Sequence, residues 1–236
     1  METSKEMIKP DKTMKIEEFS EANWRWLYEN RCEAHGHRYT SHLNCFKEEE
    51  QHPEKVCGLD LECSGLQADF GLILSWAIKP LDGDIVYDCL TLDDIDKGVQ
   101  DKRITESCID ELVKYDRVFG HYSTYFDIPF LRTRALVHKL WFPGYGVIKH
   151  TDVWMMARKK LKIHSNRQDS VSQTLTQKSD KTRIHPDVWL KAQFGTKKQR
   201  KEALKYILEH NLIDVTELEE NYKTLLPYVN KTHSSI

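Results

Sequence analysis

Nothing in this 236-residue chain approaches the roughly 18 consecutive apolar residues that a membrane span needs. Its first 15 residues are polar and hold no signal-peptide core. The six cysteines, at positions 32, 45, 57, 63, 89 and 108, fit no compact disulfide framework, and Cys57 falls in an apolar run with the character of a buried strand. A reducing intracellular setting is therefore expected, with no membrane partner. There is no internal repeat. A large net charge is also missing. The formal total of −2 would by itself argue against a nucleic-acid binder. The distribution of charge argues the other way. Residues 139–205 hold 16 Lys or Arg against five Asp or Glu, a local excess of +11, and the remainder carries −13. Such segregation can build a basic surface on a neutral protein, as a phosphate-rich partner requires, although solvated helix faces would give the same count.

The length suits one substantial domain with an appendage, or two small domains, and the composition is that of an ordinary globular protein. Residues 1–54 have the character of an appendage, with a helix expected over 16–28, then a Cys/His-rich segment and an acidic stretch. The main domain is expected over 55–230, followed by a tail, 231–236. Apolar runs at 72–78 and 85–90 are expected strands joined through Asp82-Gly83, a strong hairpin signal. A helix is expected over 104–115, strands over 117–121 and 147–150, and a helix over 152–161. Residues 162–200 are polar, basic and irregular, with one short helix expected over 171–177. Leu204, Leu208, Asn211, Val215, Leu218, Tyr222 and Leu225 recur at spacings of four and three, the stripe of an amphipathic helix that Pro227 ends. A hairpin followed by strand–helix alternation predicts an α/β fold, a mixed sheet with helices on both sides.

The chemistry begins in Val56-Cys57-Gly58-Leu59-Asp60-Leu61-Glu62. Alternate side chains of a strand share a face, so Asp60 and Glu62 point one way while Leu59 and Leu61 point the other. Two adjacent anions in an apolar setting resist ionising unless something positive sits between them, and a hard divalent cation that takes oxygen ligands is the natural candidate. Two further carboxylates are candidates for the same site. Asp127 follows a short strand, where capping a helix is the alternative role. Asp214 lies at the margin of the C-terminal apolar stripe with His210 four residues earlier on the same face, where a solvated pair is the alternative.

In order along the chain, these residues resemble the three motifs of the DEDD (DnaQ-like) 3′–5′ exonucleases of the ribonuclease H-like superfamily: Asp60-x-Glu62, Phe126-Asp127, and an acidic motif on the last helix. The resemblance spans residues 55–228. The stretch Phe126-Asp127-Ile128-Pro129-Phe130-Leu131 is similar to family-B polymerase proofreading domains, and His210-Asn211-Leu212-Ile213-Asp214-Val215 is similar to small stand-alone relatives from phages and prokaryotes. The resemblance implies a ribonuclease H-like mixed five-stranded sheet flanked by helices. It also implies a cytoplasmic location in a phage-infected or prokaryotic cell, and four metal-holding carboxylates, Asp60, Glu62, Asp127 and Asp214. Two Mg²⁺ or Mn²⁺ ions, ~3.5–4 Å apart, would clamp the attacking and leaving oxygens of an in-line displacement. Asp60 would bridge both ions, Glu62 and Asp214 would serve the ion that activates water, and Asp127 would reach the other through water. Two positions depart from the family pattern. His210 stands four residues before the last aspartate, where the family places a tyrosine, its histidine standing five before. Tyr122 stands where an asparagine is common. At its spacing, His210 could orient or deprotonate the attacking water.

Basic tracts at 158–167 and 197–201, interleaved with Trp154, Trp189 and Phe194, suit phosphate contacts and base stacking on a single strand, with core packing the alternative for the tryptophans. Cys32-x-x-His35 and His42-x-x-Cys45 are paired doublets able to hold a structural Zn²⁺, with His37 spare, although the six-residue loop between them is shorter than in zinc fingers. A hydrogen-bonded polar turn is the alternative. The expected function is a metal-dependent 3′–5′ exonuclease on single-stranded DNA. The alternatives are an endonuclease or RNA-directed nuclease on the same fold, a non-catalytic nucleic-acid-binding module, or a proofreading accessory to a replication or repair partner.

Overall fold

The computed structural model describes residues 6–32, 36–49, 54–177, 184–229 and 234–236. The chain divides into two compact units, Met1–Glu54 and Lys55–Ile236.

In the first unit a 3₁₀ turn, Ile16–Glu18, precedes helix α1, Glu21–Glu29. The helix starts later than its apolar pattern suggests because Ser20 caps it. The Asn23 N–H donates to Ser20 Oγ at 3.2 Å, and Asn23 Oδ1 accepts the Ser20 N–H at 3.0 Å. A second helix, α2, covers Leu43–Glu49. Among the described residues Phe19, Leu27, Cys32, Tyr39, Cys45 and Phe46 form the core of this unit.

The second unit is built on strands β1 (Val56–Cys63), β2 (Ile73–Pro80), β3 (Val86–Cys89), β4 (Arg117–Gly120) and β5 (Lys149–Asp152). Their order is β3-β2-β1-β4-β5, with β1 antiparallel to β2, β2 antiparallel to β3, and β4 parallel to both β1 and β5. Among the described residues seven α-helices alternate with and follow these strands: α3 (Leu92–Asp96) and α4 (Lys102–Leu112) before β4, α5 (Asp127–Val137) before β5, then α6 (Val153–Lys160), α7 (Gln168–Thr176), α8 (Pro186–Phe194) and α9 (Lys197–Leu225). This five-stranded mixed α/β architecture is the ribonuclease H-like fold. Three helices escaped the sequence reading, α2, α3 and α8. Helix α8 has Pro186 in its first turn and the His185 side chain at its N-terminus, but its apolar residues Val188, Trp189, Leu190, Ala192 and Phe194 follow no clean helical stripe, and Leu190 and Phe194 are exposed. Residues 234–236, expected as a tail, lie along β5, where the His150 N–H donates to the Ser234 carbonyl and Ile236 is buried in the core.

The sheet separates two cores. Leu59 and Leu61 pack with Ile104, Leu112 and Leu131. On the other side Ala77 and Phe119 pack with Val215, Leu218 and Tyr222 of α9, and the Phe119 and Tyr222 rings stack at 4.0 Å. Gly58 permits this close approach, since a Cβ there would lie 2.8 Å from Phe119 Cε2. Helix α9 therefore crosses β1 and β2 on the face that carries Asp60 and Glu62.

Candidate active site

Strand β1 supplies the first two acids. Asp60 and Glu62 are half-buried, alternating with fully buried Leu59 and Leu61 as a two-residue period requires. Helix α9 answers from above. His210 Nδ1 lies 3.4 Å from Asp214 Oδ2 and 3.6 Å from Glu62 Oε1. One ligand atom from each of Glu62, His210 and Asp214 falls within 4.8 Å of the others, close enough for the three to share one metal ion. His210 and Asp214 are both buried, so this is not the solvated pair that spacing alone allowed.

Asp127 is the first residue of α5, but it does not cap its own helix. Its Oδ1 accepts the Leu61 backbone N–H at 3.1 Å, tying the start of α5 to β1. Burial pushes its pKa up to about 7, the Leu61 N–H lowers it, and the negative charges of Asp152 and Glu62 raise it further. Glu62 thus acts on both halves of the cluster: one of its oxygens belongs with His210 and Asp214, and its charge is felt by Asp127. A hard-oxygen donor set in which one member resists ionising fits a divalent cation, because only an added positive charge lets all the carboxylates ionise together.

The remaining polar groups hold the acids in place. Asn211 Nδ2 donates to Asp60 Oδ2 at 2.6 Å and to the Asp60 carbonyl at 3.2 Å, while Asn211 Oδ1 accepts from Ser75 Oγ at 3.1 Å. Gln168 Nε2 donates to the Asp214 carbonyl at 2.7 Å, tethering α7 to α9. Asp152, at the end of β5, accepts the backbone N–H groups of Tyr122, Thr124 and Trp154, each at 3.0 Å. That carboxylate anchors the loop between β4 and α5, in which Tyr122 has a left-handed φ of 62°. At this φ, asparagine is easier to accommodate than tyrosine. Asn211, Asp152, Ser75 and Gln168 were not identified as site residues from sequence. Asn211 had a visible signal, a polar residue inside an apolar helical stripe.

Asp60 and Asp127 line a cavity of about 420 Å³ with His121, Tyr122, Trp154 and Arg167. Tyr122, Tyr125 and Trp154 form an aromatic cluster with ring separations of 5.1–6.3 Å, and the Arg158 guanidinium lies 5.0 Å over Trp154. Trp189 packs against the core as a structural side chain, whereas Phe194 is exposed. Lys197 of the second basic tract is engaged by Asp96 at 2.8 Å.

In the N-terminal unit the Cys/His doublets are rearranged. Cys32 and Cys45 come together with His37, the residue expected to be spare, and His42 touches Cys45. His35 lies outside the described residues.

No family model matches the chain, and no curated protein matches it. Among solved structures, the chain is similar to the family B DNA polymerase of the hyperthermophilic archaeon Pyrobaculum calidifontis. The identity is 18% and the TM-score 0.59 over 75% of this chain, which spans 25% of the polymerase's length. That likeness is one of fold. Among the described residues no helix is long and apolar enough to cross a membrane.

Proposed function

We propose that this protein is a metal-dependent 3′–5′ exonuclease acting on single-stranded DNA. The observation that carries the reading is the convergence of Glu62, His210 and Asp214 within 4.8 Å of one another, with Asp60 and Asp127 on the adjoining cavity wall. Asp60, Glu62, Asp127 and Asp214 would hold two Mg²⁺ or Mn²⁺ ions. When bound, such ions supply a water of lowered pKa and neutralise charge on the scissile phosphate.

The chain's own residues do the rest. Asn211 holds the Asp60 carboxylate in one orientation. His210, buried between two carboxylates, orients the attacking water and accepts its proton. Tyr122 and Tyr125, 45% and 57% exposed, offer ring faces to unpaired bases, and Arg158 and Arg167 offer charge to phosphates. A platform beside the acids suits a frayed strand better than a duplex. The fold neighbour is a DNA polymerase, which favours DNA as the substrate class.

The test uses 5′-labelled single-stranded DNA with Mn²⁺. The expected product is a ladder shortening from the 3′ end, abolished by EDTA and by Asp60→Asn or Asp127→Asn with folding retained. Circular single-stranded DNA should stay intact. Nicked circles would make the protein an endonuclease, and full activity in either mutant would remove the site assignment.

A further inference from the structure

The N-terminal unit holds a second cluster of metal-ligating side chains, remote in sequence from the carboxylates. Cys32, His37 and Cys45 each present one ligand atom, all within 4.8 Å of one another. Cys45 Sγ lies 3.6 Å from His37 Nε2 and 3.2 Å from His42 Nδ1. For a tetrahedral zinc ion, bond lengths of about 2.3 Å to sulfur and about 2.05 Å to nitrogen put a Cys sulfur and a His nitrogen about 3.6 Å apart. The Cys45–His37 separation is that of two ligands in such a shell.

The backbone prepares the shell from both sides. The Cys32 N–H donates to the His37 carbonyl and the Gly36 N–H to the Cys32 carbonyl, both at 2.8 Å, a pairing that an Arg31–Arg38 bridge continues. On the other side the Cys45 N–H donates to the His42 carbonyl at 3.1 Å, at the start of α2.

His37 Nδ1 lies 3.0 Å from the Arg38 carbonyl oxygen. A carbonyl can only accept, so Nδ1 carries the proton and the lone pair of neutral His37 sits on Nε2, the atom facing Cys45. Metal-binding histidines are commonly fixed in this way, by a hydrogen bond from the other ring nitrogen.

We infer that Cys32, His37 and Cys45 hold a structural zinc ion that clamps the N-terminal unit, with His42, which touches Cys45 but stands outside the three-way cluster, moving in as the fourth ligand. Two thiolates and two neutral imidazoles are a soft, tetrahedral donor set suited to Zn²⁺, and both thiols give up their protons on binding. The unit has reason to need such a clamp. Among the described residues six side chains make up its buried apolar core, few for a fold of this size without a cross-link or a metal.

The full chain, purified without chelator, should carry one zinc ion per molecule by elemental analysis. Cobalt(II) exchanged into it should give the strong visible bands of a tetrahedral thiolate site. Cys32→Ser and Cys45→Ser should lose both signals, while His37→Cys, which keeps four tetrahedral ligands, should retain the metal with a stronger sulfur charge-transfer band. Asp60→Asn should leave the zinc in place, which separates this site from the carboxylate cluster. If the serine variants fail to fold, the cobalt spectrum of the wild-type chain decides. A wild-type chain that holds no zinc and gives only the weak spectrum of hydrated cobalt would overturn the inference, as would a Cys32–Cys45 disulfide in the protein purified under reducing conditions.

Discussion

Burial of Asp127, together with the charges of Asp152 and Glu62 and against the pull of the Leu61 N–H, places a titration at about pH 7 inside the cluster. An unfolded aspartate titrates at about 3.9. The folded form therefore binds the proton more tightly, and its stability falls as pH rises from about 4 through about 7. In metal-free protein, Asp127→Asn should become progressively more stable than wild type between pH 5 and pH 8, measured by urea unfolding in EDTA. A pH-independent difference would refute the assignment. His150 works in the opposite direction. Burial lowers its pKa to about 4, Asp152 opposes this, and Arg117 lowers it further, so its contribution is lost as pH falls from about 6.5 through about 4. That contribution is common to both proteins and largely cancels in their difference. Asn211→Ala should cost about 1–3 kcal/mol by leaving the Asp60 carboxylate short of its donor. It should also lower kcat more than it changes KM; steady-state rates showing the reverse would make Asn211 a substrate contact instead.

Among the secondary-structure elements, the approach of α9 to β1 decides whether the acids meet. Gly58 shares the face of Asp60 and Glu62, and a methyl group there would press on the Phe119 ring, itself stacked on Tyr222 at 4.0 Å. Gly58→Ala should therefore destabilise the domain by about 1–3 kcal/mol and lower metal-dependent activity at temperatures where the fold persists. Thermal unfolding and activity read these separately. The loop after β4 shows the opposite balance. Tyr122 occupies a left-handed conformation that asparagine adopts more readily, yet presents an exposed ring beside Tyr125 and Trp154. Tyr122→Asn should raise the melting temperature while weakening single-strand binding by about 1–3 kcal/mol; an unchanged affinity would remove this residue from the stacking platform. Much of this level was readable in the sequence. The hairpin through Asp82-Gly83, the strands before Asp127 and Val153, and the long last helix all follow local periodicity. Helix α8 did not, because its short apolar run carries little helical periodicity, and its packing against α9 supplies what the pattern lacks.

For the molecule as a whole, charge and metal act together. If the 139–205 segment meets phosphates as proposed, single-strand affinity should fall steeply with salt, log Kd changing linearly with log salt concentration; a flat dependence would count against the basic segment as the contact surface. Mn²⁺ should raise the melting temperature of the wild-type chain by mass action on the folded state, and raise that of Asp127→Asn less.

The sequence by itself determined which side chains share a face, because strand and helix periods are set by local covalent geometry: Asp60 with Glu62, and His210 with Asp214. It could not determine distance across the fold. That Glu62 meets His210, that Asn211 holds Asp60 from 151 positions away, and that His37 joins Cys32 and Cys45 were settled only by the tertiary structure. Helix crossings and loop closures come from packing of the whole chain, and no local pattern records them.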